Sequence, residues 1–324
     1  MKAIQNYQSQ FIAHLESYDK ERTPLSLYEP IQYVLGLGGK RLRPVLTLMI
    51  TDCFDGDVTS ALDASLAIEV FHNFSLIHDD IMDNAPLRRG QKTVHEKWNL
   101  NTGILSGDAM LIMAYKLFEG YNTKQFKELI ALFSKTALEV CEGQQYDIDF
   151  ETRTDVSISE YLKMIEYKTA VLVAAAMQMG AIIANASKEN QQKCFDFGKN
   201  LGIAFQLQDD FLDAFGDPKT FGKQVGGDII ENKKSYLYLM AMALGSEADK
   251  RKLKTLYGKN SVNSVEKIAM VLKIFEQTGA AQATNQAIKD YTKGAFDILN
   301  SLEIHTIKKE GLRDFGKQLM TRSS

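Results

Sequence analysis

The run Phe71-His72-Asn73-Phe74-Ser75-Leu76-Ile77-His78-Asp79-Asp80-Ile81-Met82-Asp83 ends an apolar, proline-free stretch that begins at Leu62. Its length and pattern predict a buried helix over Leu62 to His78 that carries on into the acids, with Pro86 as its stop. Asp79, Asp80 and Asp83 stand at i, i+1 and i+4, and residues four apart share one helix face. The three carboxylates therefore fall in the last turn. A helix C-terminus carries partial negative charge, and neighbouring carboxylates raise one another's pKa. A divalent cation removes both penalties, and a donor set made only of carboxylate oxygens suits Mg²⁺.

A single cluster of this kind is ordinarily a solvated helix end. A second copy shifts the balance. Asp209-Asp210-Phe211-Leu212-Asp213 repeats the spacing after the apolar run Phe195 to Leu207, just before Gly216-Asp217-Pro218. Two acid-ended helices facing each other are expected to hold several Mg²⁺ ions, and a diphosphate is the expected guest.

The rest of the composition fits. The chain has 324 residues, 45% of them hydrophobic, and five prolines with none after Pro218, which suits an all-α bundle read as a single domain over 1–324. A net charge of −3 argues against general nucleic-acid binding. Cys53, Cys141 and Cys194 show neither zinc spacing nor a disulfide framework, which points to a reducing, cytoplasmic setting. The opening residues are polar rather than signal-like, and no apolar run reaches membrane-spanning length, so no stable membrane insertion is expected.

Cations cluster beside the acids in sequence. Gly38-Gly39-Lys40-Arg41-Leu42-Arg43-Pro44 places three cations after two glycines that let the backbone approach a ligand. Arg88-Arg89-Gly90-Gln91-Lys92-Thr93 follows the first cluster directly, and guanidinium forks beside carboxylates suit phosphate recognition as well as plain salt bridging. Lys168 sits in an apolar stretch, where it either snorkels or meets a phosphate. Gln206 precedes Asp210 by one turn, near the floor of the second cluster. Gly222-Lys223-Gln224-Val225-Gly226-Gly227-Asp228 and Lys233-Lys234 form a glycine- and lysine-bearing loop of the kind that attracts phosphates.

Local signals mark the other elements. A first helix over the opening twenty residues carries Phe11, Ile12 and Leu15 on its apolar side, and Pro24 and Pro30 bracket a connector. Val45 to Ile50 begins a buried helix. Asn99 to Gly103 reads as a turn before a buried helix over Ile104 to Phe118, with Asp108 as a structural partner for a nearby polar group. A helix over 123 to 150 ends in Gln144-Gln145-Tyr146-Asp147. Ser159 caps the next, which runs to about Ala184. A charged loop near Ser246 to Lys254 interrupts the C-terminal helices.

The motifs GGKRLRP, HDDIMD with RRG, KT, FQLQDDFLD and GKQVGGD, in this order from Gly38 to Lys234, resemble those of the trans-isoprenyl (polyprenyl) diphosphate synthases of the short-chain type. The resemblance implies the all-α isoprenoid synthase bundle, a homodimer and three Mg²⁺ ions per site. It implies that Asp79, Asp80 and Asp83 are the first aspartate-rich motif and Asp209, Asp210 and Asp213 the second, with Asp79, Asp80, Asp83 and Asp209 on the metal. Lys40, Arg43, His72 and Arg89 are implied for the diphosphate of isopentenyl diphosphate. Arg88, Lys168, Lys223 and Lys233 are implied for the allylic diphosphate, with Thr169 and Gln206 near the developing cation. The implied reaction is Mg²⁺-assisted ionisation of the allylic diphosphate, attack by isopentenyl diphosphate and loss of a proton to the released diphosphate.

In that family, bulk below the first motif limits product length. Phe71, Phe74 and Ser75 stand there. An aromatic five positions before Asp79 with a small residue four before, and no two-residue insertion in the motif, implies geranylgeranyl diphosphate ahead of farnesyl diphosphate. A class I terpene cyclase would share the first cluster without needing GGKRLRP. A non-catalytic synthase subunit would typically have lost one of the two clusters.

Overall fold

The computed structural model describes residues 2–18, 22–217, 225–258 and 263–320. It is helical almost throughout, as expected, with one two-stranded hairpin among the described residues. The chain divides into two compact units, residues 1–134 with 175–192 and residues 135–174 with 193–324.

In the first unit, α1 (Lys2–Tyr18), α2 (Leu25–Gly36) and α3 (Leu42–Cys53) surround α4 (Leu62–Met82), and α6 (Leu100–Lys116) packs along α4 after the hairpin β1 (Leu87–Arg88), β2 (Gln91–Lys92) and the short α5 (Val94–Lys97). α4 is the Leu62–His78 helix of the sequence, extended to Met82. Ala64 to Phe71 is buried without a break, the polar Ser65 and Glu69 included. Gly103 and Gly107 let α6 approach α4. A Cβ on Gly103 would stand 2.8 Å from Ile81 Cδ1, and one on Gly107 would collide with the His78 ring. On α3, Thr47 and Thr51 donate to the carbonyls of Ala176 and Gly180 at 3.0 and 3.3 Å.

In the second unit the core gathers Phe150, Tyr161, Ile165, Leu207, Leu237 and Phe275. The latter half of α7 (Thr123–Thr152) enters it. α8 (Ile158–Ile165) continues through a π-helical turn over Glu166–Ala170 into α9 (Val171–Ile183), and α10 (Lys188–Phe215) carries the second acid cluster.

Several expectations are corrected. Pro30 lies inside α2, where its buried ring, beside Ile31, Val34 and Leu35, outweighs the missing backbone bond. On α1, Ile12 is exposed while Phe11 and Leu15 are buried. Leu100 to Gly103 is helix rather than turn, because Asn99 caps it by accepting from the Thr102 amide at 2.9 Å. α6 is not buried all round, since Leu100, Leu105 and Ile112 are more than half exposed. α7 continues past Asp147 to Thr152. The cap of α8 is Ser157, in a reciprocal box with Glu160, and not Ser159. Residues Glu247–Tyr257 form a helix where a charged loop was expected. Ser246 caps it in a second such box, Lys250 pairs with Glu247 at 3.0 Å, and Leu253 and Leu256 are its buried stripe.

Candidate active site

α4 ends where the carboxylates begin to cost it. Asp83 is its C-cap, Asn84 turns left-handed, and Asp80 is buried while Asp83 is exposed. Arg88 answers the crowding. Its Nε donates to both Asp80 oxygens at 2.9 and 2.8 Å, and Nη2 lies 2.7 Å from Asp80 and 3.6 Å from Asp79. The expected basic loop is a two-residue hairpin whose tip, Arg89-Gly90, has positive φ at both positions, which aims Arg89 back across the unit. There the Arg89 guanidinium donates to the Gly38 carbonyl and lies over Gly39, where a Cβ would stand 2.9 Å away. The close approach is at Gly39, and it is made by Arg89 of the same chain.

Arg41 takes a different part. It donates to Glu69 and to the Leu35 carbonyl, all buried, and so anchors the Gly38–Arg43 segment on α4. Arg43 Nε is buried and has no hydrogen-bond partner. His72, one turn above Ser75 on α4, is held well below the ordinary imidazole value by burial and by Arg43, Arg89, Arg88 and Arg41 around it. The first unit thus brings Arg43, His72, Arg88 and Arg89 together beside Asp79 and Asp80. Lys40 is exposed at the edge of the same segment.

Below the acids, Phe74 is buried and packs on Phe71 at 5.4 Å and on the His78 ring at 4.8 Å. Phe71 rests edge-on against Phe133 at 5.3 Å, which also meets Tyr115 and Phe118. Ser75 is half-buried, and its hydroxyl donates to the His72 carbonyl at 2.8 Å. His78 is the polar partner of Asp108, at 3.8 Å.

In the second unit, the π-helical turn presents Lys168 and Thr169. Such turns are rare insertions that often mark functional sites. Two glycines grip it. A Cβ on Gly143 of α7 would run into the Lys168 amide nitrogen, and one on Gly202 of α10 would stand 2.7 Å from Ala170 Cα. Gly143→Ala is therefore expected to lose about 1–3 kcal/mol from overpacking against backbone and to lower turnover by displacing Lys168. Thermal unfolding and steady-state rates measured together check this.

Lys168 Nζ meets Asp147 at 2.5 Å, a partner with no distinguishing spacing in the sequence. Thr169 donates to Gln206 at 3.3 Å, and Gln206 donates to Asp210 at 3.1 Å. Burial and the nearby Asp228 push Asp210 up to about 7, although Tyr161, Gln206 and the Tyr236 amide bond to it. Burial and Asp213 push Asp228 up to about 6. The Asp228 amide donates to Asp213 at 3.0 Å, so Asp213 and Asp228 stand together. Lys233 pairs with Glu231 at 3.0 Å and lies 3.8 Å from Asp228. Lys223 lies outside the described residues. No spacing in the sequence marks Asp228 or Tyr161 as part of this cluster, and both enter it only through the fold.

Among the described residues, no three Asp, Glu, His or Cys side chains already stand as a cation cage. Nor is any described helix long and apolar enough to cross a membrane.

Comparison with known proteins agrees with this geometry. Residues 24–275 match the polyprenyl synthetase family. A geranylgeranyl diphosphate synthase of Methanosarcina mazei is 36% identical over 308 residues, covering 94% of this chain and 93% of its own. A short chain isoprenyl diphosphate synthase of Methanothermobacter thermautotrophicus is 34% identical over 304 residues, covering 94% and 93%. The crystal structure of a geranylgeranyl pyrophosphate synthase superposes with a TM-score of 0.95 at 52% identity, covering 99% of each chain. The acid-ended helices, the gathered guanidiniums and these matches place the chain in the polyprenyl synthetase family of prenyltransferases.

Proposed function

We propose that this prenyltransferase joins isopentenyl diphosphate to an allylic diphosphate and makes geranylgeranyl diphosphate. The observation that carries the substrate reading is the buried Arg43 Nε without an acceptor, set among Arg41, Arg88, Arg89 and a neutral His72. A buried guanidinium N–H is rarely left unbonded, and a diphosphate supplies the missing acceptor. Arg43, Arg89, His72 and the exposed Lys40 hold isopentenyl diphosphate. Arg88, Lys168, Lys223 and Lys233 hold the allylic diphosphate.

The acid clusters fit Mg²⁺ by their donors. All are carboxylate oxygens, and a divalent cation would offset the burial and the like-charge crowding that raise Asp210 and Asp228. Asp79, Asp83 and Asp209 would hold the ions, while Asp80, committed to Arg88, orients that guanidinium. When bound, Mg²⁺ supplies positive charge that stabilises the departing diphosphate. Thr169 and Gln206 lie beside the carbon that loses it, and Phe74 closes the space into which the product grows.

The exposed Leu100, Ile104, Leu105 and Ile112 of α6 support a second copy of the chain as partner. Three cysteines outside any disulfide, Cys53 and Cys194 buried and Cys141 exposed, support a reducing cytoplasm as its setting.

The test is direct binding of isopentenyl diphosphate by calorimetry. Arg43→Met should weaken it by about ten-fold or more, the ~1.5–3 kcal/mol of a hydrogen bond to a charged group. Unchanged affinity would remove Arg43 from the site.

A further inference from the structure

We propose that Tyr161 is a positioning residue for prenyl transfer, acting through Asp210 to hold the side-chain amide of Gln206 in one orientation. This rests on the function proposed above, in which Gln206 and Thr169 lie beside the carbon that becomes positive.

Tyr161 stands on α8, is 4% exposed, and packs within the core of the second unit. A ring alone would fill that space. The hydroxyl adds a burial cost that only a hydrogen bond offsets, and it donates to Asp210 Oδ2. The Tyr236 backbone amide approaches the same oxygen at 3.5 Å. The other oxygen, Oδ1, accepts from Gln206 Nε2 at 3.1 Å. Three donors converge on one carboxyl group, Tyr161 and the Tyr236 amide on Oδ2 and Gln206 on Oδ1.

The consequence falls on Gln206. With Oδ2 held by Tyr161, Asp210 keeps Oδ1 turned to Gln206, whose NH₂ donates to it. The amide oxygen is then left on the side of Thr169, whose hydroxyl donates to it at 3.3 Å. The fixed amide presents the negative end of its dipole, with no reorganisation needed, where positive charge develops on carbon. Without the Tyr161 hydroxyl, Asp210 is released to rotate and the amide has two orientations to choose from.

The experiment is a double-mutant cycle of Tyr161→Phe and Gln206→Leu, assayed with isopentenyl diphosphate, allylic primers and Mg²⁺. Tyr161→Phe should lower kcat by about ten-fold or more while leaving both KM values within about two-fold, the pattern of an interaction made in the transition state. Combined with Gln206→Leu it should add little further loss, because both act through one amide. If Tyr161→Phe does not fold, Asp210→Asn, which keeps the native shape, runs the same cycle against Gln206→Leu. Losses that multiply, a kcat within about two-fold of wild type, or a loss confined to KM would each overturn the role of Tyr161. Wild-type protein that turns over no primer would overturn both this inference and the function beneath it.

Discussion

Asp79→Ala and Asp209→Ala should each lose at least ~10³-fold in turnover, about 4 kcal/mol of barrier, while circular dichroism stays that of the wild type. The two halves of this expectation have separate physical origins. Activity depends on the carboxylates because the departing diphosphate gathers negative charge that lysines and arginines alone stabilise only in part. The fold does not depend on Asp79, since it occupies the last turn of α4, where a carboxylate is held against the helix dipole. Its ion pair to Arg88 Nη2 is long at 3.6 Å, and Arg88 keeps its closer contacts to Asp80. Removing Asp79 should therefore change stability by less than about 1 kcal/mol. Near-normal turnover in either variant would refute the cation role of that cluster.

Phe74→Ala should shift the product to chains at least one isoprene unit longer. The ring is 8% exposed and stands directly below the acid-bearing turn, against Phe71 and His78. Its removal opens a cavity that a growing hydrocarbon can fill, and the next barrier is Phe71 backed by Phe133. The cost to the free protein is that of a Phe→Ala core change, about 3–5 kcal/mol. Folding should accordingly be verified before products are compared by mass spectrometry. An unchanged product distribution from folded protein would show that another group closes the space.

The parts of this molecule that were legible in the sequence are those set by local pattern. α4 could be read because its apolar run is long and proline-free, and its end because three acids and Pro86 follow within a few residues. At Gly39, with its positive φ, the neighbour is Arg89, which no spacing in the sequence shows. Pro30 misled because a breaker can be outweighed by burial of its own ring. The segment from Ser246 to Lys254 misled because its charge hid a capping box and a narrow stripe of two buried leucines.

The remaining parts depend on residues far apart in the chain. Tyr161 and Asp210 are 49 positions apart, and Lys168 and Asp147 are 21 apart. No periodicity announces either pair. The π-helical turn over Glu166–Ala170 was invisible for a related reason. It exists because Gly143 and Gly202 allow two other helices to close on it, and each glycine taken alone reads as an ordinary break in a helical pattern.

The most direct measurement is to incubate purified protein with isopentenyl diphosphate and dimethylallyl, geranyl or farnesyl diphosphate, with Mg²⁺ or with excess chelator, and to identify the products by mass spectrometry. Geranylgeranyl diphosphate and released diphosphate are expected with Mg²⁺, and neither with chelator. Condensation that proceeds equally well in chelator, or no condensation with any primer when Mg²⁺ is present, would contradict the reading of the two aspartate clusters.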